Sequence, residues 1–244
     1  MIEEKDILTA KKVDVIIPVY NSKEYLEEAL ASCVNQIFKD FTVYVIDDNS
    51  TENIKDVVDM FSKKLDIVYI KNPKNMGPAA SRNVGIKKGS ADFISFLDSD
   101  DIWTTQKLSL SIKEFRDNPQ IGMTCGNYRV WSERKILNKN FYKFPVNVNF
   151  ETLKKVNYVA SGSVTVKRSV IEDVGLFNED YKVAEDYDLW VRISKKYKIK
   201  YIHRVLYHYS WISDGNSLTK RSDLKKHAKE VRRKIRVDHY GDSS

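Results

Sequence analysis

Four short apolar runs, each separated from the next by a helix-length segment, constrain this chain more than any other feature. They are VDVIIPV (13–19), FTVYVI (41–46), and the runs at 66–70 and 92–97. Each is long enough for a buried strand and short for a helix. Between the first two, KEYLEEALASCVNQ places Tyr25, Leu26, Ala29, Leu30 and Cys33 at helical spacing, behind Asn21 and Ser22, which offer N-cap oxygens. Further helices are predicted over 53–63 and 78–88. Pro78 suits the first turn of the latter, since the amide donor it lacks would be unpaired there. The β-α-β-α-β-α-β order predicts an α/β fold with a mostly parallel central sheet and helices on both faces.

In such sheets ligands bind beyond the carboxyl ends of the strands, near a topological switch point. Three polar clusters fall on that edge: 18–21, 47–50 and 98–101. The second half is less regular. It reads as a helix at 105–117, a strand at 121–131, a strand at 161–167, a short helix at 169–173 and a helix at 185–196. Edge strands are expected within 200–208 and a basic helix over 222–237. No repeat, low-complexity segment or linker divides the chain, which favours one domain with an elaborated second half.

Composition excludes several classes. With 42% hydrophobic and 31% charged residues in 244, the chain is neither disordered nor unusually apolar. No apolar run approaches the roughly 18–20 residues of a membrane-spanning helix. The first residues, MIEEKDILTAKK, lack the apolar core of a secretory signal. Cys33 and Cys125 are too few for a disulfide framework or a cysteine zinc site, which fits a reducing cytosol. The net charge of +7 is uneven: nine Lys or Arg lie between Lys220 and Arg236, against Asp223 and Glu230. Such a block attracts phosphates of nucleic acid, anionic lipid or a nucleotide, or is simply a solvated helix face.

The clusters that could do chemistry are acidic. Asp98 and Asp100, flanking Ser99, offer hard oxygens two residues apart, as Mg²⁺ or Mn²⁺ prefer. The same residues make good helix caps. Asp47–Asp48 reads either as a turn or as a carboxylate hydrogen-bonding a nucleotide base. Glu185–Asp186 opens a helix whose dipole stabilises carboxylates and keeps one ionised, as a general base must be. Gly77, Gly85 and Gly89 do not form a dinucleotide-binding glycine pattern, and P-loop, nucleophile-elbow and HExxH patterns are absent.

Taken together, VIIPVYN (15–21), VIDDNST (45–51), NMGPAASRN (75–83), FLDSDD (96–101) and AEDYDLWVR (184–192) resemble family 2 glycosyltransferases of the GT-A (Rossmann-like) fold, over about residues 13–210. The resemblance implies a nucleotide-sugar half (about 1–102), an acceptor half (about 103–218) forming an extension, and the basic helix (219–244). It implies that Pro18 and Tyr20 pack on the base, that Asp48 reads its edge and suggests uracil, and that Arg82 and Asn75 contact the nucleotide. Asp98 and Asp100 would hold Mn²⁺ or Mg²⁺ on the donor diphosphate, with Asp98 and Ser99 also on the nucleotide side. Asp101 is left as a helix cap. Asp186 becomes the catalytic base of an inverting, direct displacement, with Glu185 on the acceptor side.

The sequence departs from the family near its end, where Ser210 and Ile212 stand at positions that carry Arg and His in many relatives. His208 is then either a substitute metal ligand or a strand histidine with a structural hydrogen bond. Trp211 is an acceptor platform or a buried ring. The expected partners are a UDP-sugar donor, a saccharide or lipid-linked acceptor of surface polysaccharide synthesis, and an anionic membrane surface held by the basic helix. The expected location is the cytoplasm, peripheral on the inner face of the cell membrane. One rival is a sugar-1-phosphate nucleotidyltransferase, but NSKEYLEEAL lacks the Gly- and Arg-rich loop such enzymes carry after the first strand. The others are a non-catalytic nucleotide-sugar-binding domain and a nucleic-acid-binding module. The last leaves the acidic cleft unexplained, so no nucleic acid is expected.

Overall fold

The computed structural model describes residues 13–132, 135–137, 147–210 and 222–241. The first half runs β1 (Val13–Val19), α1 (Lys23–Val34), β2 (Phe41–Asp47), α2 (Ile54–Phe61), β3 (Ile67–Lys71), α3 (Pro78–Lys88) and β4 (Phe93–Phe96). All pairings here are parallel, in the order β3-β2-β1-β4. Because the sheet is covered on both faces, β1 and β2 are apolar nearly throughout. Val13, Val15, Ile17 and Val19 pack with α1 and α2 residues such as Leu26, Leu30 and Val57, whereas Ile16 faces Ala79 and Ile86 of α3. Chain order reverses between β1 and β4, which makes the crevice beside their carboxyl ends the switch point.

The second half continues the same sheet. It contains β5 (Ile102–Trp103), α4 (Lys107–Asp117), β6 (Ile121–Ser132), β7 (Lys135–Leu137), α5 (Phe150–Lys155), β8 (Thr165–Lys167), α6 (Arg168–Val174), α7 (Glu185–Lys196), β9 (Lys198–Ser210) and α8 (Ser222–Tyr240). The order runs on as β4-β8-β6-β9-β5, with β7 on β6. This extension is mixed: β8 is antiparallel to both β4 and β6, and β5 to β9, while β6 and β9 are parallel. Lys107, wholly buried, donates from Nζ to Ser95 Oγ (2.9 Å), Val164 O (2.9 Å) and Thr165 Oγ1 (2.8 Å), pinning β8 to β4.

Several sequence expectations are corrected. The 200–208 segment lies inside the sheet, between β6 and β5, as part of a 13-residue strand. Ser161–Ser163 is a 3-10 turn that precedes the short β8. Ser22 caps α1 without a side-chain bond, and Asn21 (φ 48°) instead accepts from Thr51 N at 2.9 Å, tying the β1 and β2 loops together. The basic helix α8 packs onto the second half: Val231 and Ile235 are buried, Tyr240 stacks on Phe150 at 4.2 Å, and His239 Nε2 lies 2.9 Å from Asp188 Oδ1.

Candidate active site

At the end of β1, Pro18 is half-buried and Tyr20 exposes 49% of its surface, a large aromatic face left open beside the switch point. At the end of β2 the two aspartates do different jobs. Asp47 is wholly buried; it accepts from Ser50 N (2.7 Å) and Tyr69 Oη (2.7 Å), and these partners with Lys71 hold its carboxyl below the usual range against the cost of burial. Asp48 accepts at Oδ1 from Asn72 Nδ2 (2.8 Å) and Met76 N (2.9 Å), and at Oδ2 from Gly77 N (2.8 Å). Gly77 has φ +89°, a conformation that L side chains rarely adopt, and this turn aims its amide at the carboxylate. Asp48 therefore shapes the loop leading into α3, and Oδ2 keeps a free lone pair for a ligand. Asn75 is exposed on that loop. The buried Asn72 was not singled out from sequence, where an Asn after a strand reads only as a turn residue.

Arg82, in the second turn of α3, is 4% exposed and bridges two carboxylates from distant parts of the chain. Nη2 donates to Asp98 Oδ1 at 2.6 Å and Nη1 to Glu185 Oε1 at 2.7 Å. Its guanidinium also sits 5.5 Å from the Phe177 ring centroid. The next residue, Asn83, accepts from Phe177 N (3.0 Å) and donates to Phe177 O (2.9 Å), fixing α3 against the segment that leads to α7. The expectation that Arg82 contacts the nucleotide is thus supplemented by an internal role: it draws the Asp98 turn and the start of α7 together.

After β4, Asp98 and Asp100 are half-buried and Ser99 is buried. Burial, then the neighbouring Asp98 charge, push the Asp100 carboxyl up to about 6. A divalent cation fits this donor set, because two hard oxygens two residues apart repel each other unless a cation offsets them. Among the described residues no group of three His, Cys, Asp or Glu forms a metal cluster. Asp101 is not a helix cap. It is 2% exposed, accepts from Ser210 N at 2.9 Å, and is pushed well above the usual range by burial and by Asp100 and Asp98. The helix that follows starts only at Lys107, after β5, with Gln106 at its cap. His208 lies opposite Ile102 of β5 and Arg129 of β6, where burial and then Arg129 disfavour its charged form. Trp211 lies outside the described residues.

Glu185 and Asp186 open α7 behind Ala184, which is left-handed (φ 59°). The helix dipole does not hold Asp186 down as the sequence suggested. Burial, then the Glu185 charge, raise it to about 6. Its Oδ2 lies 3.4 Å from both Asn157 Nδ2 and Ser161 Oγ, partners 29 and 25 positions away that carry no motif of their own. A carboxylate so placed is ionised at neutral pH yet basic enough to take a proton from a hydroxyl.

The sequence model described as Glycosyl transferase family 2 matches residues 14–175. An uncharacterized glycosyltransferase of Rickettsia bellii is 37% identical over 193 residues, 79% of this chain but 28% of the relative, so the chain spans well under half of that protein. A UDP-Glc:alpha-D-GlcNAc-diphosphoundecaprenol beta-1,3-glucosyltransferase of Escherichia coli is 30% identical over 78% of this chain and 73% of its own length. S. aureus TarS 1-349 in complex with UDP-GlcNAc superimposes with TM-score 0.75 at 21% identity, over 95% of this chain and 68% of that one. A Pyrobaculum calidifontis mannosyltransferase in complex with GDP-Man and Mn²⁺ gives 0.67 at 19%, over 96% and 64%. The likeness to these two structures is one of fold, and the fold is the GT-A architecture expected from sequence.

Proposed function

The chain belongs to glycosyl transferase family 2, and on that premise we propose that it moves a sugar from a UDP-sugar to a saccharide or lipid-linked saccharide acceptor, with inversion at the anomeric carbon. The observation that carries this reading is the Arg82 bridge. One buried guanidinium joins Asp98, at the donor edge of the sheet, to Glu185, adjacent to Asp186. A group that must grip a diphosphate and a group that must deprotonate an acceptor thereby share one rigid anchor, as a single in-line displacement requires.

In this mechanism Tyr20 and Pro18 support the base and the free Oδ2 lone pair of Asp48 reads its edge, with Asn75 alongside. Asp98 and Asp100 would hold Mn²⁺ or Mg²⁺, which when bound supplies charge neutralisation for the departing nucleoside diphosphate. Asp186 accepts the proton of the acceptor hydroxyl as that oxygen attacks from the face opposite the diphosphate, so an α-linked donor yields a β-glycoside. Glu185 lies on the acceptor side of Arg82. The E. coli relative named for a diphosphoundecaprenol-linked acceptor supports a lipid-linked substrate here. The Lys229, Arg232 and Arg233 side chains exposed on α8 support a place on the anionic inner face of the cell membrane.

The deciding experiment is a panel of UDP- and GDP-sugars with undecaprenyl-diphosphate-linked GlcNAc as acceptor, following nucleotide release and product linkage with and without Mn²⁺. Metal-dependent transfer from a UDP-sugar with inverted configuration is expected. Retention of configuration, or activity confined to GDP-sugars, would overturn the reading.

A further inference from the structure

A polar cavity of about 450 Å³ opens between the start of α4, β6 and β9. The geometry points to a phosphate-binding site there, lined by Arg129, His203 and Arg204 beside Thr105 and Gln106, and separate from the donor crevice.

The cavity is built by an irregularity in the β6–β9 ladder. Gly126 pairs with Ile202 and the next residue, Asn127, with Val205, so His203 and Arg204 have no partner on β6. Such bulges re-aim side chains. Here both bulged residues are turned out to solvent, into the cavity. Gly126 makes the bulge possible: a Cβ there would lie 2.6 Å from Leu206 Cδ1 and 2.9 Å from the Ile202 carbonyl oxygen. Arg129 joins from β6, exposed on the same wall. The start of α4 supplies the remaining wall, and its cap, Gln106, makes no side-chain capping hydrogen bond.

The charge balance is one-sided. No Asp or Glu lines the cavity. Two guanidinium groups and an imidazole line one concave space, while the first-turn amides of α4 are taken by Gln36 Oε1 and Thr104 O. Planar guanidinium forks match phosphate oxygens two at a time. A phosphate monoester or diphosphate carries the two or more negative charges that balance this set. Arg204 is six residues along β9 from Ser210, whose amide is bound to Asp101, or roughly 20 Å of extended strand, while Arg129, opposite His208, lies on the side of the cavity nearer that aspartate.

The test uses the whole chain, saturated with UDP so that the donor crevice is filled. Inorganic pyrophosphate is titrated while amide resonances are followed by NMR. Shifts at Thr105, Gln106 and Val205 are expected, with affinity at least tenfold weaker in the Arg129→Gln/Arg204→Gln variant and partly restored in Arg129→Lys/Arg204→Lys. All substituted positions are exposed, and matching thermal melts confirm the fold. Unmoved resonances at these amides, or equal affinity in the Gln variant, would overturn the proposal. A second arm identifies the source of the phosphate. If phosphatidylcholine vesicles containing phosphatidic acid bind the wild type and the Gln variant binds more weakly, the ligand is a lipid headgroup. Pyrophosphate binding with no difference on vesicles assigns a soluble phosphate.

Discussion

Replacing Arg82 by Met keeps the side-chain volume and removes the charge that holds two carboxylates together. The Arg82 and Glu185 side chains are 5% and 10% exposed, so their 2.7 Å pair is a buried one. Breaking such a pair from one side costs about 3–5 kcal/mol, because the abandoned charge stays desolvated. The Asp98 arm contributes less, since that side chain is 34% exposed and water takes over much of the lost interaction. The contact with the Phe177 ring adds about 0.5–1 kcal/mol. A total near 4 kcal/mol follows, a large fraction of the roughly 5–15 kcal/mol that stabilises a typical domain. With a urea slope of about 3 kcal/mol/M, the midpoint moves down by about 1.3 M. The decisive measurement is the cycle with Glu185→Gln. Neutralising the orphaned partner should recover about 2 kcal/mol in the Arg82→Met background, whereas Glu185→Gln alone destabilises. Strictly additive effects, or a loss under 1 kcal/mol for Arg82→Met, would refute the claim that this bridge fastens α3 to α7.

Asp186→Asn is expected to abolish sugar transfer while UDP still binds by calorimetry. In the wild type, kcat/KM should fall as pH drops through about 6, where the base gains its proton. The same carboxyl binds its proton more tightly folded than unfolded, so between about pH 4 and 6 the native state loses stability as pH rises. Asp186→Asn removes that loss, and its thermal midpoint should gain on the wild type at pH 8 relative to pH 4; a constant difference would exclude the burial argument. Asp100→Asn should lose the Mn²⁺ enhancement of UDP binding, as should chelation of the wild type by EDTA; an unchanged manganese titration would remove Asp100 from the metal site. Substituting Lys229, Arg232 and Arg233 by Gln should weaken flotation on anionic vesicles by about two orders of magnitude at low salt, at about 1 kcal/mol per charge; salt-insensitive flotation would refute the electrostatic contact.

The parallel half was legible because its rule is local. A strand buried on both faces must be apolar along its length, and that pattern can be read from VDVIIPV without any partner. The acidic ends of the strands were legible for the same reason, since the carboxyl edge follows once the order is known. The second half obeys no comparable rule. Of the strand expected over 161–167 only Thr165–Lys167 is extended, because β4 and β6 flank just those residues, while Ser161–Ser163 turns ahead of it. Asp101 looked like a cap because its partner, the Ser210 amide, is 109 positions away. The Arg82 bridge spans 103 positions to Glu185, so spacing along the chain carried no sign of it.

The three residues of β8 bear on how such a chain can change over time. They are the strand by which the parallel half, ending at β4, is stitched to β6 and the mixed second half, with Lys107 as the rivet beneath. Because the seam is hydrogen-bonded from both sides, the second half is not an exchangeable cassette: a recombinant joined after Phe96 would have to match β8 and Lys107 of one parent to β4 of the other. Change is therefore accommodated more readily in loops around a fixed sheet than by shuffling halves.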